Sequence, residues 1–192
     1  MDEIGERTNS YILVHQNFMC RMSCHFWMRE YMDVAKLSEK YSEKHPSSQQ
    51  KRILEVLRVF FEGIAYLSLA RDTKQAKWRS MGEKAVIKMC QFESIGYKGN
   101  IENKSTLLEA ELLYLNGDIG LAEVAYKASI KSAHAHKFIH EEALAYELFG
   151  MFCVENRWVD KGTKQLHIAL EKYKEWGATK KANDLQLFID LV

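Results

Sequence analysis

Cys20 and Cys24 stand one helical turn apart, with His25 beside them. Thiolate and imidazole ligands at that spacing are able to hold zinc or copper. A structural zinc site needs a second pair of ligands, and none follows at a matching interval. Both cysteines lie among Phe18, Met19, Met22 and Phe26. The sequence therefore assigns them, with Cys90 and Cys153, to reduced thiols packed in a hydrophobic core, with no metal or other cofactor bound.

His134, His136, His140 and Glu141 form a second cluster of chemically capable groups. His140-Glu141-Glu142-Ala143-Leu144 departs from the HExxH zinc motif, because Leu144 occupies the place of the second histidine. A histidine near a helix C-terminus interacts favourably with the dipole, so a solvated or capping role is expected. Glu109 with Glu111, and Glu141 with Glu142, are acidic pairs whose members face different directions on a helix, which argues against paired-carboxylate catalysis. No serine sits in a glycine elbow. The expectation is a chain that is not an enzyme. Trp27, Trp78, Trp158 and Trp176 are able to wall a ligand groove, but large aromatics more often seal helix interfaces, and core positions are expected for them.

The elements that carry these residues are helices. Apolar residues recur at spacings of three and four nearly throughout. One proline and ten glycines leave too few tight turns for a sheet-rich fold. The pattern predicts nine helices at about 8–27, 29–44, 48–70, 74–94, 103–116, 119–136, 138–155, 159–176 and 179–191. Phe18, Met22 and Phe26 point inward from the first, and Met32, Ala35 and Tyr41 from the second. His45-Pro46-Ser47-Ser48 ends the second helix, since the residue before proline avoids the α region. Gly96-Tyr97-Lys98-Gly99-Asn100 reads as the clearest loop, and Gly117 and Gly177 as helix stops. Helices joined by short loops pack as antiparallel neighbours.

Internal repetition sets the architecture. Ala122, Tyr126 and Ser129 follow Ala110 at the same intervals at which Gly162, Leu166 and Ala169 follow Gly150, 40 residues later. Small residues let the two helices of a hairpin approach, and a large one plugs the groove between hairpins. Tyr126 fits the plug, and Leu166 fits it less well. These positions resemble those of tetratricopeptide repeats, although the usual period there is about 34 residues. The resemblance implies an all-α solenoid of antiparallel hairpins spanning 1–192 as one domain. Its clearest repeats are 103–137 and 138–178, with a C-terminal capping helix at 179–191.

A narrower resemblance covers about residues 103–188. Leu107-Leu108-Glu109-Ala110-Glu111, Gly117-Asp118, Ala122, Tyr126, and Glu142-Ala143-Leu144-Ala145-Tyr146-Glu147-Leu148 lead into Ala169-Leu170, Tyr173, Trp176-Gly177-Ala178 and Lys181. This text is similar to the helical-repeat region of large multidomain signalling proteins that carry a kinase-like domain, a STAND-type ATPase, GAF and histidine-kinase domains. None of those catalytic signatures is present here. The resemblance implies a non-catalytic interaction or scaffold module, a regulatory segment holding a protein or peptide partner or a neighbouring domain. The alternative is a sensory superhelix that binds a small ligand and controls an attached ATPase or kinase. An enclosed pocket with convergent polar groups over aromatic walls would favour that alternative.

The charge balance narrows the partners. Lys and Arg number 27 against 26 Asp and Glu, a net +1, so nucleic acid is not expected. No apolar run approaches the roughly 20 residues of a membrane span, and Met1–Ser10 has no signal-peptide character, so a cytoplasmic protein is expected. Tyr173 and Trp176 are expected to be buried structural residues beneath the final helix. Lys181, in that helix's first turn, gains nothing from the dipole there; solvation is the first expectation for it, and a contact to a carboxylate or to exposed carbonyls the alternative.

Overall fold

The computed structural model describes residues 2–44, 52–94 and 98–192. Nine helices account for nearly all of them: α1 (Asp2–Trp27), α2 (Tyr31–Lys44), α3 (Arg52–Thr73), α4 (Ala76–Ser94), α5 (Lys98–Asn116), α6 (Ile119–Ala135), α7 (Ile139–Glu155), α8 (Val159–Trp176) and α9 (Thr179–Ile189). Each helix packs on the next as an antiparallel partner, most extensively α3 on α4, α5 on α6 and α7 on α8. Further contacts join α1 to α3, α3 to α5 and α5 to α7, so these odd-numbered helices form one layer. The result is an all-α helical-repeat solenoid.

Small residues set the closeness of the pairs. A methyl group on Gly150 of α7 would lie 2.7 Å from Leu166 Cδ2 and 3.1 Å from the Gly162 carbonyl of α8. One on Gly162 would meet the Gly150 carbonyl at 2.8 Å. These backbones touch where no side chain intervenes. Ala110, Ala122 and Ala169 are fully buried, as are Tyr126 and Leu166. Ser129 donates a hydrogen bond of 2.7 Å from its hydroxyl to the carbonyl of Asn103, tying α6 to α5.

The hairpin turns repeat more strictly than the side chains. Gly117, Lys137, Arg157 and Gly177 follow one another at twenty-residue intervals, all with positive φ (86°, 60°, 66° and 83°). At each, the amide of that residue bonds the carbonyl three back, and the next amide the carbonyl five back. This Schellman arrangement satisfies the last carbonyls of the helix. Arg29, with φ 60°, closes α1 in the same way.

Several expectations need correction. α1 begins at Asp2 rather than near residue 8, and α5 takes in Lys98, Gly99 and Asn100, which had read as loop. α3 runs on to Thr73 rather than ending near residue 70, and α4 begins at Ala76. The expected break at His45–Ser48 and the Gly96-Tyr97 part of the loop lie outside the described residues. Met32 is exposed, because the buried stripe of α2 runs through Val34, Ala35, Ser38 and Tyr41 and Met32 stands outside it. Among the described residues, no helix is long and apolar enough to cross a membrane.

Candidate functional site

The tip of the first hairpin reaches the far end of the chain. Arg29, held in its left-handed conformation at the α1–α2 turn, places its guanidinium against α7 and α9. Its Nε lies 3.6 Å from Glu147 Oε1, its Nη2 3.6 Å from Asp184 Oδ2, and its Nη1 donates to Met151 Sδ at 3.2 Å. The same guanidinium sits over the Phe188 ring at 5.3 Å. Trp27, two residues earlier, packs on Trp176 at 5.1 Å and on His140 and Tyr173 at slightly longer range. Between this tip and the odd-numbered helices lies a recessed pocket of about 400 Å³. Tyr31 and Arg71, Glu111 and Tyr114, Phe152 and Asp184 stand among its walls.

Two carboxylates that almost never see water anchor the surroundings. Glu111 is 1% exposed; it pairs with Arg71 Nη1 at 2.6 Å and accepts a hydrogen bond of 2.5 Å from the Tyr126 hydroxyl. Glu147 is 0% exposed and accepts from Lys181 Nζ and from the Tyr173 hydroxyl, each at 2.7 Å. Burial raises the pKa of both tyrosines, and the neighbouring carboxylates raise it further, so their hydroxyls remain donors. Tyr31 is shifted the same way by burial and then by Glu147 and Glu111 together, so both anionic centres act on it. Burial disfavours the charge on Arg71, but Glu111 and its neighbours prevail, and its pKa is raised. Arg71 also stacks over the Tyr114 ring at 4.7 Å, and the Tyr114 hydroxyl donates to Glu155.

A further buried ion pair, outside the pocket lining, joins α5 to α7. Lys104 Nζ meets Glu141 Oε1 at 2.7 Å, with Asn103 Nδ2 donating to Oε2 at 2.5 Å. Burial pushes the Glu141 carboxyl up, yet His140, Lys104 and Asn103 together hold it below the usual carboxylate range.

The residues first considered for chemistry scatter. Cys20, Cys24 and Cys90 are exposed, not in the core; only Cys153 is buried. The apolar neighbours of Cys20 and Cys24 in sequence face inward, and the two thiols occupy the opposite side of α1. His134 Nδ1 lies 3.1 Å from Glu142, His136 Nδ1 donates to the Ser132 carbonyl at 2.8 Å, and His140 stacks on Trp176, so the three rings have separate partners. Glu109 is exposed while Glu111 is buried. Trp78 is buried, whereas Trp158 is more than a third exposed.

Trp176 also departs from expectation, at 40% exposure: it lies on the Trp27–His140 side of α8, and α9 covers Tyr173 instead. Lys181, expected in solvent, is 4% exposed and bound to Glu147. The first turn of α9 reaches α7, where Lys181 joins Tyr173 on that carboxylate. Among the described residues, one group of potential metal ligands gathers within 4.8 Å, His25 with Glu30 and Asp33, at the exposed α1–α2 turn.

Sequence reasoning missed Arg29, Tyr31, Arg71, Glu147 and Asp184. A signal for one of these residues was present: Glu147 interrupts an otherwise apolar stretch at a buried register position. Their partners, from turns and helices far along the chain, leave no local mark. Comparison with protein-family models, with characterised proteins and with solved structures finds no match to this chain.

Proposed function

We propose that this chain is a non-catalytic sensory or regulatory module whose inner pocket receives a small polar ligand or the end of a peptide. The observation that carries the reading is the pocket itself. It has a volume of about 400 Å³, aromatic walls, and charged groups converging from α3, α5, α7, α9 and the α1–α2 turn. That volume and lining suit a small-molecule site better than a flat protein-binding face. An extended scaffold surface would instead present scattered charges along an open groove. The likeness of residues 103–188 to repeat regions of signalling ATPases and kinases gives the reading a setting. There, occupancy would alter the contact between the first hairpin and the last ones, and an attached domain would respond.

Met28 and Met151 line the pocket, so their methyl groups report on it. Methyl-labelled methionine spectra recorded against a set of polar small molecules and short peptides should show saturable shifts at Met28 and Met151. The core residues Met22 and Met89 should remain unmoved. Shifts confined to other methionines, or none with any compound, would remove the pocket as the functional site.

A further inference from the structure

We infer that this pocket, taken as the binding site proposed above, selects an organic cation: the guanidinium or primary ammonium group of a small molecule or of a basic peptide side chain. Its walls carry two cations, Arg29 and Arg71, against four anions, Asp72, Glu111, Glu155 and Asp184. Both arginines are already engaged. Arg71 is held by Glu111 at 2.6 Å and stacked on Tyr114. Arg29 lies between Glu147 and Asp184, 3.6 Å from each. Both charges are balanced by neighbouring carboxylates, and the four carboxylates of the walls repel an incoming carboxylate or phosphate.

Four polar atoms of the pocket lining are buried without a hydrogen bond; two of them, Arg71 Nη1 and Glu111 Oε2, face each other as an ion pair at 2.6 Å, and the other two are of the complementary kind. Asp184 Oδ2 and the Tyr31 hydroxyl oxygen are buried without a hydrogen-bond partner. Arg29 Nη2, at 3.6 Å, stands beyond hydrogen-bond reach of Asp184. A guanidinium or ammonium brings donors only, which Asp184 Oδ2 and the Tyr31 oxygen are able to accept. The exposed carboxylates of Asp72 and Glu155 add an anionic rim that attracts the same charge. A volume of about 400 Å³ corresponds to roughly a dozen waters, at the lower end of small-molecule sites.

Calorimetric titration of the full chain with agmatine, with acetyl-Gly-Arg-Gly-amide and with glutarate separates the outcomes. Saturable binding of one cation per chain is expected, and the tighter of agmatine and the peptide identifies the source as free ligand or side chain. The double variant Asp72→Asn/Glu155→Gln changes two exposed side chains and leaves the fold intact. It should weaken binding by about tenfold or more, and Asp184→Asn should weaken it likewise. Unchanged affinity in both variants overturns the assignment, as does the absence of saturable binding by either cation. Glutarate binding that shifts Met28 and Met151, with no response to the cations, also overturns it, while leaving the pocket standing as a binding site.

Discussion

Lys181 and Glu147 meet at 2.7 Å with almost no solvent access, and Tyr173 completes the carboxylate's coordination. Removing one member of such a pair strands a buried charge, which costs about 3–5 kcal/mol, whereas removing both is far milder. Lys181→Met should therefore destabilise the chain strongly, and Lys181→Met with Glu147→Leu should recover most of the loss; a double-mutant cycle by urea denaturation measures both. Equal, additive losses would mean that the pair is not coupled. The thiols give a second check at this scale. Cys20, Cys24 and Cys90 are exposed and should react with a disulfide reagent in the native protein. Cys153 is buried, and burial pushes its thiol up to about 11, so it should react only on unfolding. Four fast thiols, or one, would contradict the placement.

Helix ends and helix crossings obey different rules, and the two are separable by mutation. Lys137 and Arg157 occupy the left-handed conformation that Gly117 and Gly177 adopt freely. An L-residue there carries a penalty of roughly 1 kcal/mol that glycine avoids. Lys137→Gly, at a turn where the Schellman bonds are already formed, should raise the melting temperature, with stabilisation of about 0.5–1 kcal/mol. Gly150→Ala should do the reverse. Its methyl would press on Leu166 at 2.7 Å and on the backbone carbonyl of Gly162, at a cost of about 1–3 kcal/mol. A calorimetric scan of both variants tests the turn and the crossing together, and an unchanged or stabilised Gly150→Ala would show that α7 and α8 are free to separate.

At the scale of the molecule, the first turn and the last hairpins form one unit although they are far apart in sequence. Trp27 lies against Trp176, Tyr173 and His140, and Arg29 against Glu147 and Asp184. A linear repeat stack couples only nearest neighbours. Here, truncating Trp27 should be felt at the opposite end. Trp27→Ala is expected to cost about 1–3 kcal/mol and to speed amide exchange across 159–189, with little change across 76–94. Exchange mass spectrometry reads this directly. Protection unchanged at the C-terminal end would show that the contact is energetically idle.

The sequence by itself determined the helices, their number and their pairing. Apolar spacing reports which face of a helix is buried, and Gly117 and Gly177 announce turns that need positive φ. The turns at Lys137 and Arg157 were hidden, because a basic residue forced into that conformation by its neighbours has no distinguishing composition. Periodicity also placed Phe18, Met22 and Phe26 inward while failing for Cys20 and Cys24, since a small, weakly polar side chain suits either face. The pocket was decided by tertiary structure alone. Its charged groups come from five separate places along the chain, and a charge becomes a site only when another element removes its water and supplies its counterion. Arg29 reads in sequence as one more surface arginine; the reach of its turn across α7 and α9 is what sets it against Glu147 and Asp184.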